Sequence, residues 1–221
     1  MYNLHHYPLC PLSRLVRVLL IEKQLGFKLI EEKPWLRTAK LAQLNPCLEL
    51  PILVADNYII CSIYAICEYL NELNTEISFF AESATENAEI RRLLSWFNYK
   101  FNHEVSKILL EEKIYSHFFN RREPKANFLR AANVNLKNHF SYLEFLLNSR
   151  KWLAGDNLSI ADLAAACQIS VLDYLGDVNW SKFPLVQEWY AVIKSRPSFR
   201  TLLMDRVMGF SPPSYYSNLD F

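Results

Sequence analysis

Apolar positions recur at three- and four-residue spacing through most of this chain, and they are densest between residues 160 and 175. From Ile160 to Leu175 only Asp162, Gln168, Ser170 and Asp173 interrupt them. A helix apolar on nearly every side belongs inside a core. Its start is marked by Ser159 and Asp162, the spacing of a capping box, with Leu158 and Leu163 placed as a hydrophobic staple. Losing such a cap costs about 1 kcal/mol, and more where the helix end is buried. The later part of the chain is therefore expected to pack around residues 159–175.

Ahead of that helix the pattern changes. Met1 to Tyr7 is short and apolar and ends at Pro8, which suits a strand. Pro11 and Ser13 offer a helix start, and Leu15, Val16, Leu19, Leu20 and Ile21 continue it to Leu25, with Gly26 expected as the C-cap. Residues 28–32 read as a second strand and 38–44 as a short helix ended by Asn45-Pro46. Ile52–Ala55 and Tyr58–Cys61 flank Asp56-Asn57, a hairpin signal. Residues 62–73 are helical again. The order is β-α-β-α-β-β-α, an α/β domain over 1–74, with a linker at 75–82. Ser83-x-x-Glu86 opens a long helical stretch to about Phe119, carrying Ile90, Leu93, Leu94, Phe97, Phe101, Val105, Ile108 and Leu109. Helices over 126–148, 159–175 and 183–194 follow, then a short one from Pro197. The helical domain spans 83–204, and 205–221 is a tail with Pro212-Pro213 and no helical period.

Composition narrows the classes. With 24 basic and 23 acidic residues the net charge is +1, which carries no electrostatic footprint for nucleic acid or a membrane surface. No apolar run approaches the ~20 residues that span a bilayer, so no membrane insertion is expected. Met1-Tyr2-Asn3 lacks the basic start of a signal peptide. The five cysteines, Cys10, Cys47, Cys61, Cys67 and Cys167, contain no Cys-x-x-Cys pair. That favours a reducing cytoplasm over a disulfide frame or a zinc site.

The βαβαββα order followed by helices resembles the glutathione S-transferase superfamily. Tyr7-Pro8-Leu9-Cys10-Pro11-Leu12-Ser13-Arg14 is similar to its first strand-to-helix turn. Asn45-Pro46 with Leu50-Pro51-Ile52-Leu53 is similar to its Asn-Pro and cis-proline segment, and Gly155-Asp156-x-x-Ser159-x-Ala161-Asp162 to its core-helix cap. The resemblance implies a thioredoxin-like N-terminal domain, a C-terminal helical bundle, and a homodimer. It also implies a glutathione site at Leu50, Pro51, Ser62 and Ile63. There this chain departs from the family, whose helix begins Glu-Ser-x-Ala-Ile where Ser62-Ile63-Tyr64-Ala65-Ile66 stands. Leu48 occupies a position where glycine is common. No cofactor is required on this reading, and glutathione binding is expected to be weak.

Asp205-Arg206-Val207, Gly209, Pro212-Pro213, Tyr216 and Leu219-Asp220-Phe221 are similar to the terminus of an alphaproteobacterial branch, as is Lys33-Pro34-Trp35-Leu36-Arg37. That branch is the transferase-like, FtsZ-localised cell-division proteins. The resemblance implies a non-catalytic factor at the division site that binds FtsZ filaments, through Trp35, Arg37, Arg206, Leu219, Asp220 and Phe221. Cys10 departs from it, standing where an acidic residue is expected.

Alternative readings stand at several of these residues. Cys10 at a helix N-terminus suits a thiolate nucleophile, with Ser13 as a second candidate to act on a glutathione sulfur. Equally, Cys10 is a small residue tolerated in a turn. Trp35 is either tucked under its domain or presented as an anchor beside arginine. The tail either docks into a partner groove or covers an apolar groove of its own domain. His5 and His6 alternate across a strand, and His103-Glu104 lacks a second histidine one turn on, so no metal is expected.

Overall fold

The short apolar opening forms β1, Tyr2–His6, and the computed structural model describes residues 1–73, 76–119 and 122–219. They divide between Ser78 and Phe79 into two units. In the first, α1 (Pro11–Glu22), β2 (Phe27–Glu31), a 3₁₀ turn at Pro34–Leu36 and α2 (Ala39–Leu44) come before the hairpin. β3 (Ile52–Ala55), β4 (Tyr58–Cys61) and α3 (Ile63–Glu72) complete it. The sheet order is β2-β1-β3-β4. β1 runs parallel to β2, and β3 runs antiparallel to both β1 and β4. This is the expected thioredoxin-like arrangement.

One expected boundary is corrected. Gly26 is not the cap of α1; the helix closes at Lys23, and Gln24 takes the left-handed turn at φ 56°. The amides of Gln24 and Leu25 return to the carbonyls of Ile21 (2.9 Å) and Leu20 (2.8 Å), closing the end earlier. The Gly26 carbonyl accepts instead from the Tyr2 amide at the edge of the sheet.

The second unit is helical. α4 runs continuously over 84–119 and widens into π-helical turns at Trp96–Ser106 and Glu111–Tyr115. α5 (Ala126–Leu147), α6 (Ile160–Leu175), α7 (Pro184–Lys194) and α8 (Pro197–Leu203) follow. Every residue of α6 is buried, as its all-round apolar pattern requires. Its capping box is present. Asp162 does more than the box asks, accepting from the Ser159 amide (3.0 Å) and hydroxyl (2.8 Å), the Leu153 amide (2.8 Å) and the Trp189 indole (3.1 Å).

Farther along α6, Asp173 meets Lys194 at 3.2 Å, and both side chains are fully buried. Burial pushes the Asp173 carboxyl up and the Lys194 ammonium down, and their mutual attraction opposes both shifts. The rings of Tyr190 and Tyr216 lie 5.7 Å and 5.8 Å from the Lys194 nitrogen. Tyr216 belongs to the tail, which folds back: its hydroxyl donates to the Leu202 carbonyl at 3.3 Å. The Tyr174 hydroxyl pins a turn of the tail, accepting from the Val207 amide and donating to the Phe210 carbonyl. Residues 205–217 therefore cover part of their own unit.

Candidate functional site

The antiparallel registers bring three segments to one end of the sheet. His5 pairs with Ile52, and Ile52 with Cys61. The turn after β1, the cis Leu50–Pro51 bond before β3, and Ser62 after β4 therefore emerge together. Two helix starts, those of α1 and α3, point their free amide ends toward this region.

At the first start, Cys10 is the N-cap residue of α1, Pro11 follows it, and no side chain caps the helix. The Cys10 sulfur lies 3.9 Å from the Leu50 carbonyl, so the structure brings these two predicted positions together. Burial pushes the Cys10 thiol up, while the Ser13 hydroxyl, the Ser13 and Leu12 amides and Arg14 pull the other way. Burial is the largest of these, so the thiol is not the activated thiolate that a helix N-terminus alone suggests. The Ser13 hydroxyl is buried beside the Cys10 thiol. Arg14 is buried beneath it and donates from Nε to the Pro8 carbonyl at 2.7 Å.

At the second start, Ser62 holds φ 76° and places no side-chain cap on α3. A positive φ in a residue with a Cβ stores strain, of the kind that collects at binding sites. Ile63 is buried, so its side chain offers nothing polar to a ligand. Leu48 also has a positive φ, 58°. The glycine usual at its position was the sequence signal for that turn.

The bend at cis-Pro51 and the open amides of α3 suit a peptide-like ligand such as glutathione. The charged side chain for its ammonium is absent at 62, and the hydroxyl at 63 is absent as well. Part of the cradle fits and part does not.

The predicted partner residues lie elsewhere. Trp35 sits in the 3₁₀ turn, half-buried, with its ring edge-on to Tyr7 at 5.0 Å. Its ring is therefore part braced by Tyr7 and part open to solvent. Arg37 is exposed in a left-handed conformation with φ 45°. Arg206 is exposed and donates to the carbonyls of Leu203 and Asp205. Leu219 is half-buried, and Asp220 and Phe221 lie outside the described residues. Nothing in the sequence pattern marks Tyr7 as the shelf for Trp35. Among the described residues no group of three or more His, Cys, Asp or Glu could hold a metal ion. No helix among them is long and apolar enough to cross a membrane.

Residues 4–76 match the family model of the glutathione S-transferase N-terminal domain, and residues 110–205 match that of the C-terminal domain. The chain belongs to the glutathione S-transferase family. Among its relatives, FtsZ-localized protein A of Caulobacter vibrioides is 42% identical over 223 residues, covering 99% of this chain and 98% of that protein. A solved structure, FzlA from C. crescentus, matches with a TM-score of 0.96 and 42% identity over 100% of this chain and 99% of its own. A crystal structure of a glutathione S-transferase from Rhodospirillum rubrum F11 matches equally well, with a TM-score of 0.96 and 42% identity over 100% of both chains.

Proposed function

We propose that this chain is a glutathione S-transferase-like cell-division factor that binds FtsZ filaments as a homodimer, without transferase chemistry. The observation that carries the reading is the 42% identity to FtsZ-localized protein A across 99% of the chain. It works in the cytoplasm at the division site. Trp35 and Arg37 supply one contact surface, with the indole held in place by Tyr7. Arg206, Leu219, Asp220 and Phe221 supply a second.

Glutathione is not required. Ser62 and Ile63 leave two charge-assisted hydrogen bonds unmade, each worth roughly 1.5–3 kcal/mol. Two such losses weaken binding by about two orders of magnitude or more. Millimolar dissociation or none is expected by calorimetry.

Pelleting with polymerised FtsZ tests the proposal on three proteins: wild type, Trp35→Ala, and a chain stopped after Ser217. The stop keeps Tyr216, whose ring is buried, so the helical unit stays whole. Wild type should pellet with filaments, and both variants should pellet less. Wild type left in the supernatant rejects the reading; a variant pelleting like wild type removes its surface from the contact. Sedimentation equilibrium tests the dimer, and a monomer of 25.9 kDa at micromolar concentration rejects it.

A second reading, a transferase using Cys10 or Ser13, is favoured by the Cys10 sulfur beside the Leu50 carbonyl and by the Ser13 hydroxyl next to that thiol. Saturable heat with glutathione, lost in Cys10→Ala or Ser13→Ala, would establish it.

A further inference from the structure

Three of the five cysteines converge on one short segment, residues 44–50, ahead of the cis-proline. The Cys10 sulfur reaches the Leu50 carbonyl at its far end. The Cys61 sulfur, at the end of β4, reaches the Leu44 carbonyl at its near end, 3.4 Å away. Cys47 lies between them in an exposed turn. That turn is braced by Asn45, whose carboxamide accepts from the Cys47 amide (3.1 Å) and donates to the Glu49 carbonyl (2.9 Å). The Leu48 amide returns to the Asn45 carbonyl at 2.8 Å. Cys67 and Cys167 are buried and take no part.

We infer that Cys47 and Cys61 are a reversible dithiol pair, closed to an intramolecular disulfide by a peroxide, which ties the 44–50 segment to the edge strand. Cys47 is the exposed member and meets the oxidant first; Cys61 is half-buried and resolves. The Cys47 thiolate sulfur attacks one peroxide oxygen, the O–O bond breaks, and hydroxide leaves, forming a sulfenic acid at Cys47. The Cys61 thiolate then attacks that sulfur. The S–S bond forms, the S–O bond breaks, and a second hydroxide leaves. The two thiol protons complete two waters, so the two sulfurs give up two electrons and one hydrogen peroxide is reduced. A dithiol reductant reverses the step by exchange.

The roles follow from the surroundings of each thiol. Burial pushes the Cys61 thiol up, and a charge on Cys47 raises it further, so Cys61 is the poorer first nucleophile. The geometry is set by the turn: the Cys61 sulfur already touches the Leu44 carbonyl, three residues before Cys47, and Asn45 holds the chain between them. Because Ser62 follows Cys61 directly, the disulfide also fixes the start of α3.

Hydrogen peroxide added in slight excess to the native chain, followed by alkylation and digestion without reductant, tests the pair by peptide mapping. The expected product is one peptide linking Cys47 to Cys61, lighter than its parts by two hydrogens and released by dithiothreitol. The link should persist in Cys10→Ser and vanish in both Cys47→Ser and Cys61→Ser. A Cys10 link, a link between two chains, or over-oxidised Cys47 with no linked peptide each overturns the proposal. Because the wild-type map decides the matter, the result stands even if Cys61→Ser fails to fold.

Discussion

The two units treat the starts of their longer helices differently; the short α8 of the second, like α1 and α3, begins with no side-chain cap. In the second, the first turns of α4, α5, α6 and α7 are closed by side chains. Ser83 caps α4, Glu112 accepts from the Lys125 amide, Asp162 serves α6, and Glu144 accepts from the Val186 amide at 2.9 Å. Three of those four are carboxylates set against the positive end of a helix. In the first unit Thr38 caps α2, but α1 and α3 begin at Cys10 and Ser62 with no side-chain cap. A closed start holds the fold together and has no donors to spare. An open one, at the mouth of a sheet, leaves amides for a ligand, although at α1 those of Leu12 and Ser13 already meet the Cys10 sulfur. The region where the family resemblance puts a glutathione site thus coincides with two helix starts that carry no side-chain cap.

The comparison can be broken most severely at Asp162. Asp162→Ala strands the buried donors of Leu153, Ser159 and Trp189 and should cost roughly 3–5 kcal/mol in urea unfolding. A loss near 1 kcal/mol would mean that α6 is held by apolar packing alone. On the open side, Ser62→Glu combined with Ile63→Ser restores the family's polar pair. Calorimetry should show glutathione affinity rising about a hundredfold or more over wild type. No gain would show that more than these two positions has departed from the site.

A smaller effect comes from Glu112, which receives Arg122 at 2.7 and 2.9 Å and is held down to about 2, chiefly by that guanidinium. A carboxylate depressed by folding adds stability above its unfolded value of 4.5, and that stability is lost as pH falls toward about 2. Glu112→Gln should cost about 1–2 kcal/mol at neutral pH, discounted for the partial exposure of Arg122. It should also flatten the decline of stability between about pH 5 and pH 2.5. An unchanged slope would assign the acid loss to other carboxylates, such as Glu89 beside Arg92 and Arg150. The smallest effect is expected at Ser13. Ser13→Ala removes a buried hydroxyl whose one named neighbour is the weakly bonding Cys10 thiol, so stability should change by less than about 1 kcal/mol. A clear loss would reveal a bond made by that hydroxyl.

Much of this was legible in the residues because local signals agreed with the global pattern. Ser159 with Asp162, the Asp56-Asn57 turn and the all-round apolar helix each had a single physical reading, and the elements formed accordingly. The end of α1 was misread because Gln24 adopts a backbone shape usually left to glycine, and Gly26 stood close by as a decoy. The π-helical widening of α4 leaves no mark in a three- and four-residue spacing. Long-range polar contacts were also invisible: nothing in sequence pairs Glu144 with Val186 or Asp173 with Lys194. At the candidate site, Cys10 and Leu50 were named singly, and only the β1–β3 register brought them to one place.

Tyr216 carries a consequence for synthesis. The sheet and three helices of the first unit are complete once Ser78 has left the ribosome. The second unit cannot enclose Lys194 and Asp173 until Tyr216 has followed. From Lys194 to Tyr216 is 22 residues, an interval of roughly 1–4 s at about 5–20 residues per second. Through it a nascent chain exposes a charged pair that the finished protein hides from water completely. A ribosome stalled between Lys194 and Tyr216 would hold out a lysine open to acylating reagents, and the last aromatic to arrive would take it out of their reach.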